Sequence, residues 1–161
     1  MSKYVLQDMV RVREHREEQA TQAVTRALRL LREARESVVK KQQELNDYIA
    51  WRVQEERRLL DSLMRRLLKL GDISDVRETI ALLREREFEI IDQLRQAEAA
   101  VIKAEAHLDE CRQKQVKAVR ELEKLLEHRR LWLQERALEQ EMAEDLELED
   151  FTSPRADRLA A

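Results

Sequence analysis

The sequence predicts an all-α protein, a long two-helix antiparallel coiled-coil hairpin. Three observations carry this. Gly and Pro each occur once in 161 residues, too few to mark the turns of a sandwich, barrel or βαβ fold. Charged residues make up 40 % of the chain and aromatics only 4 %, the balance of a long helix or coiled coil. A seven-residue apolar repeat also runs through most of the C-terminal half.

One stretch punctuates the chain, Leu70-Gly71-Asp72-Ile73-Ser74-Asp75. Gly71 is suited to the left-handed position that ends a helix. Asp72 or Ser74 can cap the first amides of the next one, and Asp75 favours its positive end. The reading is helix 1 over about 3–70, a turn at 71–74 (Gly71, Asp72, Ser74) and helix 2 over about 75–148. Pro154 bars helix continuation, so 151–161 is expected to be a disordered tail beyond a single 1–150 hairpin.

Helix 2 carries the clearest period. Steps of 4 and 3 from Val76 reach Ile80, Leu83, Glu87, Ile90, Leu94, Ala97, Val101, Ala104, Leu108, Cys111, Gln115, Ala118, Leu122, Leu125, Arg129 and Trp132. Only Glu87, Gln115 and Arg129 are polar, and a repeat held this long implies a left-handed supercoil against another helix. In helix 1, Ala20, Val24, Ala27, Leu31, Ala34, Val38 and Leu45 share a seam that Lys41 interrupts. Beyond it Ile49, Val53, Leu60, Leu63, Leu67 and Leu70 fit one position on, which predicts a drift of the stripe. Similar helix lengths and one turn favour a hairpin in which residue i faces about residue 145 minus i. Arg13 then falls near Trp132 and Leu31 near Gln115 or Ala118. A four-helix bundle is the alternative packing.

Residues 1–70 hold 16 Lys plus Arg and 11 Asp plus Glu, a balance of +5. Residues 71–161 hold 15 and 23, a balance of −8. Opposite arm charges favour pairing of one arm with the other and a protein monomeric on its own. The basic residues are interleaved with Glu14, Glu17, Glu18, Glu33 and Glu36, and no nucleic-acid motif is present, so no nucleic-acid partner is expected. The run Glu139, Glu141, Glu144, Asp145, Glu147, Glu149, Asp150 contains no Lys or Arg. It reads either as a solvated helix end or as a face that steers toward a basic partner.

Chemistry is not written into the chain. No HExxH, CxxC, Walker or dinucleotide glycine pattern occurs, so no metal or cofactor is expected. The lone Cys111 lies on the seam and reads as a core residue. No catalytic residue is assigned and the protein is not expected to be an enzyme. No apolar window is long enough to span a membrane, and no signal-peptide core follows Met1. Val116, Val119, Leu126, Leu131 and Leu133 lie beside the helix 2 seam, with Val5, Leu6, Met9 and Val12 on the first arm. They form either a broad seam covered by arginine stems or a protein-docking surface near the chain ends.

The start of the chain, Leu6, Met9, Val10, Val12-Arg13, then Arg16-Glu17-x-x-Ala20-x-x-x-Val24, resembles the apolar start, Arg-Glu pair and small-residue seam at the head of one family. That family is the stalk protein of bacterial type III secretion, YscO, similar to the flagellar export protein FliJ. The resemblance covers roughly residues 3–148 and includes the near-absence of Gly and the single central turn. It implies a protein of the bacterial cytoplasm, on the cytoplasmic side of the secretion apparatus. It implies binding and activation of the hexameric secretion ATPase, coupling to the export gate protein, and binding of export chaperones. The contact would fall on Leu6, Met9, Arg13 and Arg16 of one arm and Leu126, Trp132, Leu133 and Arg136 of the other. The alternative is a generic coiled-coil adaptor or scaffold unrelated to secretion; an amphipathic membrane-surface protein is a third class.

Overall fold

In the computed structural model the described residues are 3–65 and 70–160, with side chains described as far as Thr152. Two α-helices account for nearly all of them: α1, Gln7–Arg65, and α2, Leu70–Ala160. They run antiparallel, and no strand occurs among the described residues. The chain divides into two units. One comprises residues 1–22 with 112–161, the other residues 23–111.

In the 23–111 unit the core lies on the seams read from the sequence. Ala27 and Leu31 pack with Leu108 and Cys111, and Ala23, Val24, Val101 and Ala104 close around them. Leu45, Ile90 and Leu94 form a second cluster with Val38, Tyr48, Ile49 and Ile91. Ile90 is 2 % exposed, and fully burying such a side chain contributes about 1.5–3 kcal/mol. Cys111 is a buried free thiol within this core, whose sulfur lies 3.7 Å from His107 Nε2.

The α1 stripe widens rather than moving over as a whole. Ile49 and Leu63 are half-buried as the drift predicts, but Val53, Leu60 and Leu70 are exposed, Leu67 lies outside the described residues, and the original seam continues through Tyr48, Arg52, Leu59 and Ser62. The reason is electrostatic. The Arg52 side chain, 15 % exposed, places Nη1 2.9 Å from Glu56 and Nε 2.6 Å from Glu87, while Arg84 reaches Glu56 at 3.3 Å. The Nε–H of Arg52 is not aimed at the Glu87 oxygen, so that contact is an ion pair rather than a formed hydrogen bond. The polar position Glu87 in the α2 seam thus has its partner in α1. The Tyr48 hydroxyl donates to the Leu83 carbonyl at 2.6 Å, and Lys41 donates to Gln93 at 3.0 Å. These directional contacts hold the register, because a slip of one turn would leave each group half-buried and unpaired.

The register differs from the one expected. Cross-helix pairs such as Arg35 with Glu105, Tyr48 with Leu83 and Arg13 with Glu121 have numbers that add to between 131 and 140, not about 145. Leu31 accordingly packs on Leu108, not on Gln115 or Ala118. The cause is that α2 already begins at Leu70. Gly71, Asp72 and Ser74 lie inside its first turns; residues 66–69 lie outside the described set. Gly71 has no positive φ, so it does not end a helix in the left-handed conformation. At the other end α2 continues through Pro154 to Ala160, where the sequence predicts a disordered tail. Proline removes one donor from the ladder, a local cost of about 3 kcal/mol. The residues on either side keep theirs, and the Thr152 hydroxyl adds bonds to the Leu148 and Glu149 carbonyls.

Two measurements follow. A Cβ at Gly71 would meet nothing within 4 Å. Gly71→Ala is therefore expected to stabilise the fold by about 0.5–1 kcal/mol in urea unfolding; a left-handed glycine would give the opposite sign. Burial opposes ionisation of Glu56, but hydrogen bonds and charge from Arg52 and Arg84 outweigh it and hold its carboxyl below the ordinary 4.5. A depressed pKa contributes stability in full above the unfolded value and loses it as pH falls through the folded one. Glu56→Gln is expected to cost about 1–2 kcal/mol at pH 7, with the gap to the parent closing below about pH 4.

Candidate functional site

The unit that holds both chain ends is built around one small cluster. At the start of α1 the Gln7 amide donates to the Tyr4 carbonyl at 3.1 Å and the Val10 amide to the Leu6 carbonyl at 3.0 Å. This turn folds Tyr4 back onto α2. Tyr4 and Val10 are buried with Leu125, and Leu6, Leu122, Leu126 and Trp132 pack against them. The Tyr4 ring meets Trp132 edge-on at 5.3 Å, a geometry favoured by the ring quadrupoles. Its hydroxyl lies within hydrogen-bond distance of His128 Nδ1, at 2.5 Å.

The eight residues assigned to docking from sequence separate into two sets. Leu6, Leu126 and Trp132 are half-buried in this cluster. Arg13 is tied down too: its Nη1 donates to the Glu121 carbonyl at 2.8 Å, in place of the expected position beside Trp132. Met9, Arg16, Leu133 and Arg136 are exposed. Arg136 lies over the Trp132 ring at 5.2 Å and 3.5 Å from Glu139. Thus the first set is the floor that fixes the second.

Past Trp132 the character of α2 changes. Every residue from Leu133 to Thr152 is exposed, including Leu133, Leu138, Met142, Leu146, Leu148 and Phe151. The acidic run Glu139–Asp150 lies on this segment. A helix carrying exposed apolar side chains between like charges, without an intramolecular cover, is suited to docking against a second protein surface.

Tyr4, Val10 and His128 are the residues that sequence reasoning missed. Val10 was recoverable, since stepping back from Ala20 by 3 and 4 reaches Arg13, Val10 and Leu6. Tyr4 was not, because it precedes α1 and obeys no helical period. Among the described residues no group of His, Cys, Asp or Glu is arranged to hold a metal, and no helix is long and apolar enough to cross a membrane.

Fold and exposed segment together define a class, a two-helix coiled-coil protein built for contact with other proteins. The family model for type III secretion protein YscO matches residues 6–154, and the chain belongs to that family. The crystal structure of type III secretion protein YscO from Vibrio parahaemolyticus is similar, with a TM-score of 0.85 and 25 % identity over 91 % of this chain and 92 % of that one. The structure of CT670 from Chlamydia trachomatis, described as a YscO homolog, shares the fold, with a TM-score of 0.75 at 20 % identity over 99 % and 97 % of the two chains. No curated protein sequence matches.

Removing the Tyr4 hydroxyl isolates the pin of this unit. Tyr4→Phe keeps the ring contact and is expected to cost about 1 kcal/mol in urea unfolding, and to raise amide exchange at Leu6–Val10. Unchanged stability and exchange would show that the His128 bond contributes nothing.

Proposed function

We propose that this chain is the stalk of a bacterial type III secretion system, binding and activating the hexameric secretion ATPase. The reading extends to coupling the ATPase to the export gate protein, to binding export chaperones, and to a cytoplasmic location at the base of the apparatus. One observation carries it: the continuous exposure of α2 from Leu133 to Thr152, beside a packed cluster that fixes its direction.

The action is allosteric rather than catalytic. A single asymmetric helix pair in a six-fold ring contacts its subunits unequally. If it binds the assembled, active ring more tightly than dissociated subunits, it shifts the population toward that ring by its differential affinity. Leu133 and Met9 supply exposed apolar contacts, Arg16 and Arg136 charged ones, and the acidic run steers approach to a basic surface.

The test is ATP hydrolysis by the cognate secretion ATPase titrated with this protein, with mass measured on the same samples. The expected result is saturating stimulation accompanied by more hexamer. Leu133→Asp with Arg136→Glu, both at exposed positions, is expected to raise the half-saturating concentration at least about tenfold without loss of helicity. Absence of binding and stimulation with an active ATPase would favour the generic adaptor.

A further inference from the structure

One face of α2 in the chain-end unit takes no part in the cluster with Tyr4 and Val10. At about 100° per residue, Leu125, Leu126 and Trp132 share the side that carries that cluster. Leu131 points the opposite way and is 46 % exposed. On the Leu131 side, toward the N-terminus of α2, lie Lys124, Arg120, Lys117 and Val116. These line a shallow groove together with Arg112, and Val116 is 48 % exposed. Toward the C-terminus the same side carries Glu135, Leu138, Met142, Asp145 and Glu149, all exposed. The face is therefore basic with an apolar floor on one side of Leu131, and acidic with apolar anchors on the other.

Such a face is complementary to itself when inverted. We propose that two copies of this chain associate through it, with the α2 helices antiparallel and the two-fold axis at Leu131. A two-fold contact requires each patch to meet its own counterpart, and this pattern meets that requirement. Leu131 faces Leu131. Lys124 lies level with Leu138 and within a turn of Glu135. Arg120 lies level with Met142 and within a turn of Asp145, and Lys117 lies level with Asp145. The basic stems cover the Leu and Met side chains while their heads reach the acids. Glu127 comes level with Glu135, but its carboxylate is already held by Arg130 at 2.6 and 3.0 Å. Lys117, Arg120 and Lys124 have no ion-pair partner among the described residues.

The monomer expected from the arm charges takes account only of the seam between helices and not of this outward face. Leu133 and Arg136 point about 140–160° away from Leu131 around α2, but both readings draw on the exposed segment beyond Trp132 and its acidic run, so the two partners would compete for it. The mass of the protein alone reads the dimer and ATP hydrolysis reads the other contact, so each can fail by itself.

Sedimentation equilibrium of the full chain tests the proposal. The expected mass is that of a dimer at high micromolar concentration and low salt, with dissociation as salt rises. Leu131→Asp is expected to weaken association at least about tenfold. Arg120→Glu with Lys124→Glu, and separately Glu135→Lys with Asp145→Lys, each abolish self-association, while an equimolar mixture of the two restores it. In a Cys111→Ala background, Leu131→Cys joins two chains through a short bis-maleimide, whereas Leu133→Cys does not. A monomer at every concentration in low salt overturns the proposal. So does a dimer indifferent to Leu131→Asp, or cross-linking through Leu133→Cys and not Leu131→Cys.

Discussion

A helix pair can bury no more of its longer member than the shorter one covers. Here α1 has 59 residues and α2 has 91. In the chain-end unit α1 begins at Gln7, while α2 runs on past its cluster with Tyr4 and Trp132, so the surplus lies at the C-terminal end of α2. Beyond Trp132 the apolar side chains of α2 therefore stay in water, and they stay helical without a partner in the same chain. The candidate site follows from this inequality in length more than from any single residue.

What holds the register is a small number of polar contacts laid into an otherwise apolar seam. Apolar side chains at 3.5-residue spacing are nearly interchangeable, so a slip of one heptad re-forms most contacts. Arg52 with Glu56 and Glu87, the Tyr48 hydroxyl on the Leu83 carbonyl and Arg13 on the Glu121 carbonyl are not interchangeable. Each is directional and at least partly withdrawn from solvent, so displacement costs desolvation without compensation. In the chain-end unit the Tyr4–His128–Trp132 contact plays the same part and sets the boundary between paired and exposed α2.

The helix pair was legible because its signal is redundant. Ile90, Leu94, Leu108, Cys111 and Leu125, all buried, lie on the 4–3 repeat counted from Val76. The register was less legible, because Gly71 looks like a helix end in sequence but occupies ordinary helical φ in α2. The α1 stripe misled after Leu45 for a related reason. Val53 and Leu60 are apolar yet exposed, and Arg52 is charged yet inward, which follows only once Glu56 and Glu87 are known to meet it. At the candidate site, Leu6, Leu126 and Trp132 come together as their apolar character suggests. The cluster's pin, Tyr4, lies outside any helix and carried no periodic signal.

We propose that the chain engages a secretion ATPase through exposed α2. Hydrogen exchange of the full-length protein, alone and with assembled secretion ATPase, tests it most directly. The account predicts new protection from Leu133 through Thr152 and at Met9–Arg16, with residues 23–111 unchanged. Protection confined to residues 23–111, or none at saturating ATPase, would contradict it.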